Sequence, residues 1–443
     1  MNSLLNYESF LKELSSLRPP GEIRLGLDRV EELLDRCGNP HRNLRSIVVA
    51  GTNGKGSVVA MLSNILKIAG YKVGSYISPH LCDIRERIMI DGYWIDKDAF
   101  LRIGQKILAI AKSMSDIPTF YEIITAIAFS YFNESKVDVA VLEIGLGGRL
   151  DAVNVVHPLE SVITTIDFDH ENYLGNTIAS IAREKAGIIK EGVTVIFGEE
   201  KEEAVNVVEE VSLAKRAKLY RKGRDFDFEI KRFSLEESLM DFKDSFNFLP
   251  DIKLGLKGIY QFLNSSVAIE SAILLNSLGI SVSEKSIRDG IRSARWRGRF
   301  DVFNYADKVV ILDGAHNPHG MNALVSSLEL LFKGKSVCFV FGAMRDKNYL
   351  KMLKELSRIA SKVIFTSVGI GRALSVKELL SASQSLEEMS KIPIFGVESP
   401  LQAFNEALNS KEEVICLCGS LYLIGSILEG NLEIRGLNSA FQK

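Results

Sequence analysis

The stretch "SIVVAGTNGKGSVVAML", Ser46 to Leu62, sets an apolar run, a glycine-rich turn and a second apolar run in order. Glycines let backbone N–H groups approach phosphate oxygens. A helix starting near Lys55 or Gly56 adds partial positive charge at its N-terminus. Lys55 is the side chain that reaches a phosphate, and the Ser57 hydroxyl suits Mg2+ or a phosphate oxygen. The spacing departs from the common phosphate loop. Only Thr52 and Asn53 separate Gly51 from Gly54, and Gly56 stands between Lys55 and Ser57. The plainer alternative is a tight glycine turn joining a strand to a helix.

Further chemistry-bearing residues follow apolar runs. "VDVAVLEIGLGGRLDAVN" delivers Glu143 at the end of such a run, where ligands of open α/β sheets gather. A carboxylate there suits Mg2+ or the positioning of water; otherwise it caps a helix or joins a salt bridge. Arg149 and Asp151 either bind substrate or pair with each other. "SVITTIDFDHENYLGNT" places Asp167, Asp169 and His170 just past another run. His170 is a candidate metal ligand, although Mg2+ prefers oxygen. Lys185 in "IAREKAGIIK" reads on composition as a solvated charge. "ILDGAHNPHG" puts Asp313 where an acid suits a ribose hydroxyl or an amine, with His316 near phosphate or substrate. An Asp-Gly turn plus helix cap is the competing reading. "RWRGRF" offers Arg295, Arg297 and Arg299, either a solvated patch or a source of an arginine for transferring phosphate.

The elements that must hold these residues alternate. Buried-strand runs ("IVVA", "KVGSYIS", "VDVAVLEIG", "SVITTID") are separated by helical patterns, which indicates a parallel sheet covered on both faces. Helices are expected around Leu4–Leu17 and Asp28–Cys37. Residues 201–250 are more charged and read as a sheet edge or a small antiparallel addition. After "RWRGRFDVF" a second alternation ("KVVILDG", "SVCFVFG", "KVIFTSV", "IPIFGV", "EVICLCG") predicts a second doubly wound unit with its own core. A chain of 443 residues, 46% hydrophobic and 25% charged, fits a soluble protein of two or three domains. A net charge of −2, from 54 basic and 56 acidic residues, recommends neither nucleic acid nor an anionic membrane. No apolar run approaches the roughly 18 residues that span a bilayer, and the start lacks the pattern of a signal peptide. The expected location is cytoplasmic. The five scattered cysteines, with Cys416 and Cys418 in an apolar run, read as free thiols.

Taken together, "GTNGKGS", "ISPHL", "TFYEIITAIAF", "EIGLGGRLDAVN", "DHENYLGNTIASIAREKAGIIK", "YQFLN", "RGRF", "DGAHNP" and "CGSLYLIG" resemble one family, the folylpolyglutamate and dihydrofolate synthases of the Mur-ligase superfamily. The match runs in order along nearly the whole chain. It implies an α/β, two-domain Mur-ligase-like architecture. Residues 1–296 would form a phosphate-loop ATPase domain with a mostly parallel sheet and the pterin-side site. Residues 297–443 would form a Rossmann-like glutamate-ligase domain. The implied reaction is ATP-dependent: a carboxylate of dihydropteroate or folate is phosphorylated, and L-glutamate attacks the acyl phosphate, releasing ADP and phosphate. ATP and Mg2+ are the implied cofactors, with K+ as a monovalent cation. The implied partners are small molecules, and the chain is expected to be a monomer.

By position, the resemblance implies that Gly54, Lys55, Gly56 and Ser57 hold ATP phosphates, with Asn264, Arg299 and Asp313 completing the nucleotide site. Ser78, Glu143 and His170 would hold Mg2+. Lys185 matches a lysine that this family carbamylates; an ammonium cannot bind Mg2+, whereas a carbamate supplies an anionic oxygen. Thr119, Phe120, Tyr121, Glu122, Leu150, Asp151 and Ala152 would contact the pterin side. His316 would lie near the acyl phosphate and glutamate, and Lys55, Lys185 and His316 would be catalytic. Arg297 and Tyr260 depart from the family's common Pro and His, and neither is expected to touch the ATP or metal set. Two competing readings are a cell-wall Mur ligase, which "SPH" and "GLGGRLDA" oppose, and a phosphate-loop switch, which leaves the second α/β unit unexplained.

Overall fold

The computed structural model describes residues 2–430 apart from 21 and 306. The chain divides into two compact units whose segments alternate along the sequence. The first comprises residues 1–166, 178–227 and 266–290, and the second residues 167–177, 228–265 and 291–443.

The first unit is built on an eight-stranded sheet. Its strands are β1 (Ser46–Ala50), β2 (Val73–Tyr76), β3 (Ile88–Ile90), β4 (Tyr93–Trp94), β5 (Val139–Glu143), β6 (Glu160–Ile163), β7 (Thr194–Phe197) and β8 (Leu219–Arg221), in spatial order β4-β3-β2-β5-β1-β6-β7-β8. From β2 to β8 the pairings are parallel. Every residue of β1 and β5 is buried, which is why these strands read as unbroken apolar runs. The antiparallel edge is a hairpin turned by Asp91 (φ 53°) and Gly92 (φ 82°). Positive φ at both central residues is what a two-residue turn between twisted strands needs. The chain leaves β1 for β2 on one side of it and later passes from β5 across β1 to β6 on the other side, so the strand order reverses around β1. The loop after β1 therefore sits at a topological switch point, where such sheets bind ligands.

The charged region after residue 200 begins with a helix that its composition disguised, Glu202–Ala214. Glu202 and Glu203 favour its N-terminal turn, and Ala204, Val205, Val207 and Val208 are its buried face. β8 follows as a sheet edge. Then comes a three-stranded addition of β9 (Phe226–Phe233), β10 (Ser238–Asp244) and β11 (Phe248–Lys253), with β10 and β11 antiparallel.

The second unit centres on six strands in the order β12-β13-β17-β14-β15-β16: β12 (Asp301–Tyr305), β13 (Lys308–Leu312), β14 (Val337–Phe341), β15 (Ala360–Phe365), β16 (Ile394–Gly396) and β17 (Val414–Cys418). All pairings are parallel except that of β12 with β13. Phe339, Phe341, Phe365, Leu324, Leu328, Met352, Cys416 and Cys418 belong to its core. All five cysteines are free thiols, and Cys338, Cys416 and Cys418 are buried. Among the described residues no helix is long and apolar enough to cross a membrane.

Candidate active site

In the first unit the phosphate-loop residues leave β1 through Gly51 (φ 146°) and enter the helix Lys55–Ile68 through Gly54 (φ 88°). A Cβ on Gly51 would lie 1.9 Å from Thr164 Oγ1, so only glycine fits. Two threonines after β6 brace the loop. Thr52 N–H donates to Thr165 O at 2.7 Å, and Thr164 Oγ1 donates to Asn53 O at 2.6 Å. Gly56 and Ser57 are buried in the first helical turn. Lys55 Nζ donates to Gly51 O at 3.0 Å and to Thr52 O at 3.2 Å. Lys185, only 4% exposed, donates to the same Gly51 O at 2.8 Å. Two ammonium groups on one carbonyl concentrate positive charge at the loop, the electrostatic condition for binding a polyanion. The composition-based reading of Lys185 as a solvated charge is corrected: the helix Ile178–Ala186 turns it inward.

Glu143 closes β5 and Ser78 follows the neighbouring β2. Parallel register brings them together, and Ser78 N–H donates to Glu143 Oε2 at 3.1 Å. A hydroxyl and a buried carboxylate at adjacent strand ends are an oxygen donor set suited to a hard cation. Among the described residues no three His, Cys, Asp or Glu side chains form a metal cage. A metal held here therefore draws on donors outside those four residue types, such as the Ser78 hydroxyl.

The glycine-rich exit of β5 is fastened to the lysine-bearing helix. Arg149 N–H donates to Glu184 O at 2.8 Å, and its guanidinium pairs with the Glu184 carboxylate at 2.8 Å. A Cβ on Gly148 would sit 2.7 Å from Glu184 O and 2.9 Å from Lys185 O. Arg149 thus pairs with Glu184, and Asp151 has a separate task. Its carboxylate accepts from Gly145 N–H (3.0 Å), Leu146 N–H (2.9 Å), Val153 N–H (3.0 Å) and Tyr121 OH (3.3 Å). Burial raises its pKa to about 6, against those hydrogen bonds. Tyr121 thereby joins the Thr119–Glu122 stretch to the Leu150–Ala152 stretch. Thr119 and Glu122 cap the helix Phe120–Glu134 reciprocally, and Glu122 also pairs with Arg29 at 3.0 Å. Phe120 and Ala152 are buried, and Leu150 is half-buried.

The second unit carries His170, Asn264, Arg299, Asp313 and His316. Asp313, 3% exposed, accepts from Tyr260 OH at 2.6 Å, Phe300 N–H at 2.8 Å and Ala315 N–H at 2.8 Å. Burial raises its pKa against these partners and Arg299. The Tyr260 hydroxyl therefore does touch a residue of the expected ATP set. The helix cap is Asn317, which accepts from Gly320 N–H at 2.8 Å, so Asp313 is no helix cap. Asn264 donates to Gln261 Oε1 at 2.9 Å.

A second knot surrounds Asp169. Its Oδ1 accepts from Lys347 Nζ at 2.5 Å and its Oδ2 from Asn317 Nδ2 at 3.0 Å. Lys347 also lies 3.1 Å from His170 Nε2, and His170 holds a left-handed backbone (φ 51°). Burial pushes the Asp169 carboxyl up, but the Lys347 ammonium overrides it, so the pKa lies well below the usual range. Lys347 went unnoticed in the sequence. It sits in "GAMRDKNYL" among other charges, and nothing local points to Asp169.

The Mur ligase middle domain matches residues 49–272, and the glutamate ligase domain of Mur ligases matches residues 298–421. The dihydrofolate synthase/folylpolyglutamate synthase of Bacillus subtilis is 36% identical over 413 residues, covering 91% of this chain and 94% of that one. The chain belongs to the dihydrofolate synthase/folylpolyglutamate synthase family. The folylpolyglutamate synthase of Thermotoga maritima has a similar crystal structure, with TM-score 0.83, 39% identity and 99% of each chain covered. A bifunctional folylpolyglutamate synthase/dihydrofolate synthase solved with Mn, AMPPNP and L-glutamate superposes with TM-score 0.81 at 29% identity, covering 96% of this chain and 97% of that one. As a member of this Mur ligase family, the chain is an ATP-dependent glutamate ligase of folate metabolism, with the α/β architecture of the family's middle and C-terminal domains.

Proposed function

We propose that the protein joins L-glutamate to dihydropteroate, to (tetrahydro)folate glutamate tails, or to both, through an acyl phosphate, releasing ADP and phosphate. The observation that carries this reading is the pair of ammonium groups, Lys55 and Lys185, on one carbonyl of the glycine loop. A carboxylate is a poor electrophile until phosphate gives it a leaving group, and moving that phosphate needs concentrated positive charge. Gly54, Lys55, Gly56, Ser57, Asn264, Arg299 and Asp313 are assigned to ATP. Thr119, Phe120, Tyr121, Glu122, Leu150, Asp151 and Ala152 are assigned to the pterin side. Asp151 and the capping box serve mainly by shaping the loops.

Ser78, Glu143, His170 and Lys185, the last as its carbamate, are assigned to Mg2+, which when bound offsets charge on the phosphates. Carbamylation suits Lys185 because it removes one of the two positive charges crowded on Gly51 O. Residues 1–296 would then serve as the ATP and pterin domain, and residues 297–443 as the glutamate-ligase domain. A monomer in the cytoplasm, acting on small molecules and activated by K+, completes the proposal.

The test is ADP release with ATP, L-glutamate and each pteridine in turn, with and without K+. Turnover only with nucleotide-linked muramoyl substrates would overturn the folate assignment.

A further inference from the structure

The peptide groups of the glycine loop do not all face one way. The Gly51 carbonyl accepts from Lys55 and Lys185, and the Thr52 carbonyl accepts from Lys55 again. In a trans peptide the C=O and the following N–H point in opposite directions. The Thr52 and Asn53 N–H groups accordingly face the other side, where Thr165 O (2.7 Å) and Thr165 Oγ1 (3.3 Å) receive them. At Asn53 the direction reverses. The Asn53 carbonyl lies on the threonine side, accepting from Thr164 Oγ1 at 2.6 Å and Thr165 Oγ1 at 3.2 Å. The same peptide plane therefore aims the Gly54 N–H toward the lysine side, where two ammonium groups attract a polyanion. Gly54 sits at φ 88°, and glycine takes either sign of φ at little cost, so this plane can turn over unless it is held. The buried Thr164 and Thr165 hold it.

We propose that Thr164, assisted by Thr165, is a positioning residue for the ATP phosphates: its hydroxyl locks the Asn53–Gly54 peptide with the N–H toward the phosphates and the carbonyl away from them. This rests on the assignment of the glycine loop to ATP made above. Were the plane to turn over, the Asn53 carbonyl would join those of Gly51 and Thr52 on the lysine side. A third negative dipole end would then stand where phosphate oxygens belong, and one N–H donor would be lost. The lock suits the short spacing of the loop. Only Thr52 and Asn53 separate Gly51 from Gly54, and the N–H groups of both are directed to Thr165. The cradle therefore starts at Gly54, and the orientation of that one peptide decides its first contact. A hydroxyl has a single hydrogen to donate, and that of Thr164 goes to Asn53 O, so Thr164 acts through Gly54.

The experiment measures the ATP KM, the glutamate KM and the thermal midpoint of the full-length protein. Thr164→Val keeps the side-chain shape and removes the hydroxyl. It is expected to raise the ATP KM roughly tenfold, the loss of one hydrogen bond to a charged oxygen. The glutamate KM and the midpoint should stay near those of the parent. Thr164→Ser restores the donor and should bring the ATP KM most of the way back. Thr165→Val should move the ATP KM in the same direction by less, because its contacts with Asn53 are longer. An unchanged ATP KM in Thr164→Val, a Thr164→Ser variant as poor as Thr164→Val, or an equal rise in both KM values overturns the lock. If Thr164→Val does not fold, Thr165→Val carries the test, and an unchanged ATP KM there overturns the lock. Lys55→Ala separates the two levels of the argument. A raised ATP KM in Lys55→Ala beside an unchanged one in Thr164→Val defeats the lock alone, whereas an unchanged ATP KM in Lys55→Ala defeats the assignment of the loop to ATP.

Discussion

Two buried lysines divide the labour of the two units. In the first, Lys185 rests its ammonium on the Gly51 carbonyl; in the second, Lys347 rests its ammonium on the Asp169 carboxylate. The buried acids contrast in the same sense. Burial raises Glu160 of the first unit well above its ordinary range, helped by Glu270 and opposed by a hydrogen bond from Ser271, whereas Lys347 brings Asp169 of the second unit below its own. A buried charge with a counter-charge is committed to architecture, because removing either partner strands the other. A buried amine on a neutral dipole remains open to chemistry.

The largest expected effect follows from that openness. Lys185→Ala should lower ligation by at least roughly a hundredfold, the scale of losing one pre-placed electrostatic contact. Its thermal midpoint should stay near that of the parent. Added bicarbonate should not restore ADP release, because no amine remains; full activity would refute the assignment. Lys347→Met should behave in the opposite manner, destabilising the protein by about 3 kcal/mol in urea titration because Asp169 stays buried without its cation. Since the folded pKa of Asp169 is depressed, this stabilising pair works above the unfolded value of 3.8 and is lost as pH falls below it. The difference between variant and parent should therefore shrink in acid; a constant difference would argue against the ion pair.

Next in size, Asp313→Ala should raise the ATP KM about tenfold, because Tyr260 OH, Phe300 N–H and Ala315 N–H lose their common acceptor. An unchanged KM removes Asp313 from the nucleotide site. The smallest effect concerns Glu160. Its raised pKa means that the folded chain holds a proton which the unfolded chain releases from about pH 4.5 upward, so stability falls as pH rises above that value. Glu160→Gln keeps an acceptor for Ser271 Oγ (2.5 Å) and should flatten that slope in melts begun at pH 4.5 and stepped upward. An unaltered slope would place the titrating group elsewhere.

Much of this was legible in the sequence, for a physical reason. Strands buried on both faces, such as β1, β5 and β17, must be apolar throughout, and a glycine loop between strand and helix announces itself by composition. What stayed hidden was set by distance. Lys347 and Asp169 are 178 residues apart, and neither flanking sequence shows that the other exists. Thr164 and Thr165 looked like ordinary strand residues, yet they shape the phosphate loop. The helix Glu202–Ala214 was masked by its acids, which favour its first turn while diluting the apolar period. Tyr260 was read as a bystander because its hydroxyl reaches a residue 53 positions later.

Gly148 carries a consequence for how this enzyme can be altered. With the Glu184 and Lys185 carbonyls within 3 Å of any added methyl group, the glycine-rich loop after β5 and the lysine helix are one machine part with no clearance between them. Catalytic alignment does not survive a shift of about an ångström. A wedge driven into that seam, whether a mutation or a small molecule, would therefore disarm Lys185 without ever touching its amine.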